Sequence, residues 1–296
     1  MRFKKENSLL FLAANFLFCC SVIFSSCGRP SPLETNIQFL GHKGSGNNNY
    51  NDVLLENTIP SVQGVLSRLD GAEIDVQMSL DGTIWIFHNS SLSNSACINS
   101  IQDTIPKMRD TEIELIRICH KNKSDRLYRL AELVNWANTT PEGFYLSLDI
   151  KVSFNAGTFA LYGNKDGYLS KFADELALIF VNYKFTDKVL VEIDSKFFCN
   201  LIKNHKATKK MTTCFMRYEA MPQKIENAIK LGYDGLSCNY TDVTVTKENI
   251  EIAHRAGLKV QLWTPYYRDE LRKAFAMNPD FIQTDNIYAK QALNVK

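Results

Sequence analysis

The sequence predicts an α/β protein built as a TIM-type (β/α)8 barrel, with a small subdomain inserted after the second strand. From Ile37 onward, short apolar runs alternate with amphipathic stretches, which is the pattern of repeated βα units around a parallel sheet. Eight of these runs qualify as strands, and eight strands close a barrel of this kind. A domain over residues 37–296 also suits one barrel better than two small domains.

The strands and helices of the predicted barrel follow one another in a regular order. The eight strand candidates are short and apolar, and they span residues 37–42, 72–77, 144–150, 188–192, 211–215, 235–238, 258–263 and 281–284. The helical patterns between them include residues 58–69, 130–138, 169–183, 222–231, 247–256 and 267–276. Gly232 and Gly257 stand where glycines that end helices are expected.

One segment departs from this repeat. After the second strand, Asp81 and Gly82 form a hairpin turn signal, followed by an added strand over 83–88 and a polar stretch over 89–126. We therefore predict an inserted subdomain over about 83–126. It should lie over the mouth of the barrel, because βα connections open at that face.

Composition and charge limit the classes of protein that are possible. The hydrophobic fraction of 45% and the charged fraction of 22% are ordinary for a soluble globular protein and exclude disordered and fibrous classes. Three of the 34 basic residues and one of the 32 acidic residues precede residue 7, so the remaining chain is balanced at 31 of each. A neutral body lacks the broad basic face that nucleic-acid binding requires.

The N-terminus has the features of an export signal. Basic residues precede an apolar run over 9–24, and Ser25 and Ser26 then lead to Cys27. This ending resembles a bacterial lipoprotein cleavage site, which implies removal of residues 1–26, acylation of Cys27 and a polar tether over 27–36. The chain would then be a membrane-anchored lipoprotein in the periplasm or at the cell surface. The alternative is an uncleaved anchor, but the apolar run is shorter than the roughly 20 residues that a span needs.

Five cysteines remain after the predicted leader and Cys27. Their odd number, without paired short spacing, argues against a disulfide framework and against a zinc site. We predict that they are buried apolar thiols, and a single disulfide stays open. They are Cys97, Cys119, Cys199, Cys214 and Cys238.

Three carboxylates fall on predicted strands. Glu73 and Asp75 are two residues apart, so both project to the same face of the second strand, and Asp149 ends the third strand. A solvated strand face would explain such alternation, but a parallel barrel leaves neither face of a strand in water. Burying carboxylates together is costly unless a cation neutralises them. Three oxygen donors without a thiolate suit Ca²⁺ or Mg²⁺ better than zinc.

Two histidines and a lysine accompany these carboxylates. His42 ends the first strand and His88 ends the added strand, so both are expected at the same rim. Lys151 lies two residues beyond Asp149, faces the same side, and could contact a phosphate oxygen. Taken singly, each histidine could instead have a purely structural role. Lys43 and Lys151 could be ordinary surface charges, and Trp263 could be part of the core.

Several motifs occur in a fixed order. Residues 41–44 are Gly-His-Lys-Gly, residues 56–58 are Glu-Asn-Thr, and residues 71–77 include the Glu-X-Asp pair; Asp81-Gly82 and His88-Asn89 follow. In order and spacing this set resembles the N-terminal signature of the glycerophosphodiester phosphodiesterase family. The segments 148–151, 256–260, 263–264 and 284–285 resemble its third and closing strands. The resemblance covers nearly all of the chain from Ile37 onward.

The resemblance implies a fold, a reaction and a set of site residues. The fold is an α/β barrel, and the reaction is hydrolysis of glycerophosphodiesters to glycerol 3-phosphate and an alcohol. The implied roles are an acid/base pair, three ligands of one divalent cation, and residues that bind the substrate. The acid/base pair is His42 and His88, and the cation ligands are Glu73, Asp75 and Asp149. The substrate-binding residues are Lys43, Lys151, Glu56 and Trp263.

Three positions depart from the family's pattern. The family usually has Arg where this chain has Lys43, Asp where it has Asn89, and Glu where it has Asp149. Lys lacks the bidentate fork of Arg, and Asn can orient His88 but cannot stabilise its charged form. These departures bear on rate and substrate preference more than on fold.

Two other functions are compatible with the same sequence. One is a related barrel phosphodiesterase that acts on a phospholipid or phosphoinositide, and the other is a non-catalytic lipoprotein that binds phosphodiesters. The polar loop over 45–55 is either a flexible surface loop or a lid that contacts the alcohol of the substrate.

Overall fold

The fold is described by a computed structural model over residues 31–46, 54–93, 95–97 and 103–296. The predicted leader, Cys27 and the first part of the predicted tether lie outside the described residues, as does most of the polar loop before Glu56. Within the described ranges, no helix combines the length and the apolar character that crossing a membrane requires.

Strands form the centre of the molecule. The strands of the described residues are β1 (Gln38–Gly41), β2 (Gly71–Met78), β3 (Ile84–Ile86), β4 (Arg117–His120), β5 (Lys123–Arg126), β6 (Tyr128–Arg129), β7 (Tyr145–Ile150), β8 (Val189–Ile193), β9 (Thr212–Phe215), β10 (Gly235–Asn239), β11 (Lys259–Trp263) and β12 (Phe281–Thr284). The order β1-β12-β11-β10-β9-β8-β7-β2 is parallel throughout, and β1 also pairs with β2. The sheet therefore closes on itself, which confirms the predicted eight-stranded barrel.

Helices surround this barrel, apart from the second in the chain, which lies in the insertion. They are α1 (Ile59–Val65), α2 (Asp110–Ile113), α3 (Leu130–Ala137), α4 (Ala156–Ala160), α5 (Lys165–Phe180), α6 (Lys196–Asn204), α7 (Met221–Leu231), α8 (Lys247–Arg255), α9 (Arg268–Ala276) and α10 (Ala289–Leu293). Each of the six predicted helical patterns contains or overlaps one of them. The predicted helical patterns did not include α2, α4, α6 or α10.

Local hydrogen bonds stabilise the start of α1, which lies at the mouth of the barrel. The Thr58 hydroxyl accepts a hydrogen bond from the Ser61 amide at 3.2 Å, and the Ser61 hydroxyl accepts one from the Thr58 amide at 3.2 Å. Pro60 occupies the first turn, where its missing N–H costs nothing. This reciprocal cap holds Asn57 at the rim of the barrel.

Apolar side chains fill two separate parts of the barrel. The main core lies between the strands and the surrounding helices and includes Phe39, Ile74, Leu148 and Phe172. Inside the barrel, a small cluster closes the end where the strands begin: Leu40, Leu190, Cys214 and Phe281. The end where the strands finish is lined by polar side chains instead, and this end is the mouth.

The inserted subdomain follows β2. β3 pairs antiparallel with β2, β6 pairs with β3, and β4 and β5 form a separate hairpin. The subdomain has its own apolar cluster, which includes Trp85, Phe87, Leu92, Ile105 and Ile118. β3 leads directly to His88, so the insertion contributes one side of the mouth.

The cysteines divide into two groups. Cys97 and Cys119 form a disulfide within the insertion, across a sequence separation of 22 residues. Cys199, Cys214 and Cys238 are buried free thiols. The prediction of buried thiols is therefore wrong for the first two and confirmed for the other three. Sequence spacing could not identify the pair, because the two residues meet only through the tertiary fold of the insertion.

The N-terminal segment and the C-terminus meet where the strands begin. The Leu33 amide donates to the Asn294 carbonyl at 2.9 Å, and the Lys296 amide donates to the Leu33 carbonyl at 3.0 Å. The chain then enters β1 at Gln38. It therefore approaches the barrel at the end opposite the mouth.

Candidate active site

Three carboxylates from two neighbouring strands meet at the mouth. Glu73 and Asp75 lie on β2, and strand register places Asp149 of β7 directly beside Asp75. Each contributes an oxygen atom, and these oxygens all lie within 4.8 Å of one another. Glu73 and Asp75 are 2% and 1% exposed, and the Asp149 side chain is 13% exposed. The fold thus gathers the three predicted metal ligands in one largely dry place.

The electrostatics of this trio are unbalanced. Burial raises the pKa of Glu73 well above its ordinary range, and the nearby charge of Asp75 adds to the effect. Burial also raises the pKa of Asp149 to about 7, against the opposing effect of Lys151. For Asp75, burial is outweighed by Lys151 and His88, so its pKa falls to about 2. The site holds more negative charge than its own side chains neutralise.

The donor set fits a divalent cation. Asp149 Oδ1 is buried and has no hydrogen-bond partner within the described part of the chain, although such atoms are nearly always satisfied. All three candidate ligands are carboxylates, which hard cations prefer. An unsatisfied oxygen and two carboxylates with raised pKa values are what a cation between them would resolve.

The turn after β1 orients one of the ligands through two backbone amides. The Lys43 amide donates to Glu73 Oε2 at 2.8 Å, and the Gly44 amide donates to the Glu73 carbonyl at 2.9 Å. Gly44 has φ +87°, and a Cβ there would lie 2.1 Å from Ser61 Oγ. Only glycine therefore allows the turn after β1 to pass so close to α1.

Asn57 fixes Asp75 through two hydrogen bonds. Its Nδ2 donates to Asp75 Oδ2 at 2.8 Å, and the Asp75 amide donates to Asn57 Oδ1 at 2.9 Å. Asn57 was not among the predicted site residues. Its place in the Glu-Asn-Thr motif of residues 56–58 was the feature of the sequence that could have indicated this role.

The two histidines have different partners. His42 Nδ1 lies 2.8 Å from Asp285 Oδ1, and His42 Nε2 lies 3.9 Å from Glu73 Oε2. His88 Nδ1 lies 2.7 Å from Asn89 Oδ1, and burial lowers the pKa of His88. Asp285 was not among the predicted site residues, although the Thr284-Asp285 segment had been noted at the last strand.

The predicted lysines lie close to carboxylates. Lys151 Nζ is 2.8 Å from Asp75 Oδ1 and 2.5 Å from Asp149 Oδ2, so its ammonium bridges two of the three carboxylates. Lys43 Nζ lies 3.5 Å from Glu56 Oε1. Lys43 and Glu56 do not line the cleft described below, whereas the other seven predicted residues do.

A fourth carboxylate lies in the barrel interior beside the trio. Glu192 on β8 is 2% exposed and accepts hydrogen bonds from Ser147 Oγ at 2.7 Å, Ser237 Oγ at 2.6 Å and Gln283 Nε2 at 2.5 Å. Its charge raises the pKa of both Glu73 and Asp149. The sequence did not single it out, because its donors come from three other strands.

The mouth opens into a cleft of about 450 Å³. Its floor is formed by the carboxylates, His42, His88 and Lys151. Its far wall carries Met216, Tyr218 and Trp263, and the Tyr218 and Trp263 rings meet edge to face with centroids 6.2 Å apart. A second hollow of about 430 Å³ adjoins it at His88, Lys151 and Ser153 and is lined largely by Asn89 and serines.

The barrel and its mouth define a class of protein: a barrel enzyme with two imidazoles beside a cluster of carboxylates that could hold a metal ion. The sequence matches the glycerophosphoryl diester phosphodiesterase family over residues 42–289, and the chain belongs to that family. The family resemblance inferred from the motifs is thereby confirmed. A comparison with curated protein sequences gave no match.

Several solved structures share the fold. A glycerophosphodiester phosphodiesterase from Parabacteroides distasonis is 16% identical, with a TM-score of 0.70 over 88% of this chain and 98% of that one. A phosphodiesterase from Oleispira antarctica in complex with the product sn-glycerol-3-phosphate is 18% identical, with a TM-score of 0.67 over 86% and 94%. One from Thermotoga maritima is 17% identical, with a TM-score of 0.60 over 86% and 97%. At these identities the likeness concerns the fold.

Proposed function

We propose that the protein hydrolyses glycerophosphodiesters to glycerol 3-phosphate and an alcohol, with the help of one divalent cation. The observation that carries the proposal is the convergence of three carboxylates and two imidazoles on one cleft of a barrel that belongs to this family. The product bound to the Oleispira antarctica phosphodiesterase is the product expected here.

Glu73, Asp75 and Asp149 would hold the cation, which is Ca²⁺ or Mg²⁺ because all three donors are carboxylate oxygens. When bound, it would neutralise the phosphate and stabilise the charge that grows on the phosphate oxygens during attack. Asn57 and the Lys43 amide keep two of the ligands oriented. Lys151 supplies a further positive charge on the same floor of the cleft.

The partners of the two histidines support different roles for them. His88 donates from Nδ1 to the side-chain Oδ1 of Asn89, so its Nε2 is free to accept a proton from the attacking water. His42 lies against the Asp285 carboxylate, which stabilises an imidazolium. His42 is therefore the residue that gives a proton to the leaving alkoxide, and His88 is the residue that takes one.

The substrate is held by residues around the floor. Trp263 Nε1 is buried without a partner among the described residues and offers one donor to the substrate. Lys43 and Glu56 pair with each other beside the floor, where they would position the turn after β1 and the phosphate near it.

A head-group panel tests the proposal. The purified protein is assayed for glycerol 3-phosphate release from glycerophosphocholine, glycerophosphoethanolamine and glycerophosphoinositol, each with Ca²⁺, with Mg²⁺ and with chelator. Release that needs a cation and is lost in His42→Ala supports the proposal. Turnover that survives both chelation and His42→Ala would sink it. An intact phospholipid in the same panel tests the related lipid phosphodiesterase, and binding of cation and diester without turnover identifies the non-catalytic alternative.

The location of the protein is part of the proposal. The leader resembles that of a lipoprotein, and the Cys97–Cys119 disulfide is of the kind that persists in oxidising compartments. Both support export and a lipid anchor on Cys27. Incorporation of labelled fatty acid that disappears in Cys27→Ser would agree with this, and unlabelled wild-type protein would contradict it.

A further inference from the structure

The end of the barrel opposite the mouth carries concentrated positive charge. Three helix-to-strand connections lead into β9, β10 and β11, which are neighbours in the sheet. Because parallel strands all begin at the same end, these connections lie together at the end remote from the cleft. These connections, with the helix ends and the strand start beside them, expose six basic side chains, here named the basic end patch: Lys206, Lys209, Lys210, Lys230, Arg255 and Lys259.

This charge is not compensated locally. Asp234 lies in the same connections but pairs with Lys203 at 2.5 Å, and Asp280, just before β12, pairs with His254 at 2.9 Å. Over the described part of the chain, no ion pair joins the six bases of the patch to a carboxylate. The chain after the predicted leader has as many acidic as basic residues. The rest of the molecule therefore carries the matching negative charge, part of which lines the cleft.

The N-terminal segment reaches the barrel at the same end. Leu33 is hydrogen-bonded to Asn294 and Lys296, and the chain then enters β1, which is two strands from β11 in the sheet. Residue 27 precedes Leu33 by six residues, a reach of about 20 Å when extended. A membrane attachment before Leu33 would hold this end of the barrel towards the bilayer.

We propose that the basic end patch docks on an anionic lipid bilayer and that the cleft then faces away from it. Lys and Arg near an anionic leaflet are attracted by its negative surface potential, so the patch draws this end of the barrel towards the bilayer. The positive charge of the patch and the point at which the N-terminal segment reaches the barrel are independent observations, and both place the end opposite the mouth against the bilayer. A protein held this way takes soluble diesters from the aqueous side and not lipids from the bilayer to which it is bound.

Vesicle binding tests the proposal with a chain that begins at Gly28. This chain lacks Cys27 but retains every residue of the barrel and its core. It should sediment with vesicles of phosphatidylcholine and phosphatidylglycerol, but not of phosphatidylcholine alone, and added salt should release it. Lys209→Glu/Lys230→Glu should weaken this binding by at least about tenfold. Lys196→Glu/Lys247→Glu changes the net charge equally at the starts of α6 and α8, near the mouth, and should leave binding almost unchanged.

Three results would overturn the proposal. The first is no preference for the anionic vesicles, and the second is equal weakening by the two variant pairs, which would reduce the effect to net charge. The third is tighter capture by a short DNA duplex than by vesicles, which would assign the patch to a different polyanion. Circular dichroism confirms that both variant pairs are folded. None of these three results depends on turnover, so failure of the proposed reaction leaves this test intact.

The orientation has a separate readout. Vesicle-bound protein should hydrolyse a soluble glycerophosphodiester at the rate of free protein, because the mouth is unobstructed. A fall in rate that follows the bound fraction would contradict an outward-facing cleft.

Discussion

The ionised state of Asp75 depends on residues that reach it from elsewhere in the chain. Lys151 on the neighbouring strand offsets its burial, and Asn57 bonds to both its side chain and its amide. Lys151 also opposes the effect of burial on Asp149, but its pKa stays raised, and the carboxylate of Glu73 gains a hydrogen bond from the Lys43 amide without an offset of its raised pKa. The three carboxylates therefore start from different protonation states, and a cation must displace protons to bind all of them.

Asn57→Ala should weaken cation binding while the fold persists. The change leaves the buried Asp75 amide and one carboxylate oxygen without partners, at a cost of about 1–3 kcal/mol in the free energy of unfolding. Titration calorimetry should show lower affinity for the cation. Asn138→Ala is a matched control, because Asn138 also makes two hydrogen bonds, to Asn182 and Lys184, far from the cleft. Equal cation affinity in both variants would contradict the positioning role of Asn57.

Asp285→Asn should lower kcat with little effect on KM. The amide can orient His42 but cannot stabilise its imidazolium, so proton donation to the leaving group should suffer by about 100-fold or more. Asp280→Asn removes a similar contact with His254 outside the cleft and should leave kcat unchanged. An unaltered kcat in Asp285→Asn would argue against the assigned role of His42.

Asp149 should make the cation-free protein less stable as pH rises. Its pKa is about 7 in the folded state against an ordinary value of 3.8. Its favourable contribution is therefore complete below about pH 4 and is lost as pH rises through about 7. The lowered pKa of Asp75 acts only below this window. In chelator, the difference in Tm between wild type and Asp149→Asn should shift steadily against wild type from pH 4 to pH 7, and added cation should reverse it.

Strands were the easiest elements to predict. Each barrel strand is short, apolar and covered on both faces, so its composition alone marks it. The polar residues that interrupt two of these strands, Glu73, Asp75 and Asp149, stood out for the same reason. Short helices were harder: α2 has four residues, and α4 and α10 have five each. Such elements take their stability from tertiary packing and leave little periodicity to detect.

The disulfide of the insertion should support the mouth. The Cys119 amide donates to the Ser95 carbonyl at 2.8 Å, and Asn89 donates to Ser95 Oγ at 2.8 Å, so the bridge is connected to the residue that orients His88. Closing a loop of 22 residues stabilises by about 3 kcal/mol. Cys97→Ala/Cys119→Ala should therefore lose that order of stability and some kcat. Wild type should lose both on reduction, whereas the variant should not respond to reductant. A variant with full kcat would show that the insertion is ordered without the bridge.

The contacts that complete the site join distant parts of the chain. Asp285 and His42 are 243 residues apart, and the donors to Glu192 come from β7, β10 and β12. No local pattern contains such pairs, so the sequence indicated the ligands and the histidines but not what holds them. The distribution of charge over the whole molecule could not be predicted either, because it depends on which distant residues the fold brings together. Balanced composition argued against a broad basic face, yet the fold gathers six bases at one end of the barrel.

The role of the three carboxylates is tested by measuring cation binding and turnover in the same samples. Metal-free protein is titrated with Ca²⁺ or Mg²⁺ while glycerol 3-phosphate release from a glycerophosphodiester is recorded. Wild type should gain activity in proportion to one bound cation per chain, and Asp75→Asn and Asp149→Asn should lose binding and turnover together. Full turnover by the metal-free protein, or normal turnover in a variant that no longer binds the cation, would contradict a centre built on these three carboxylates.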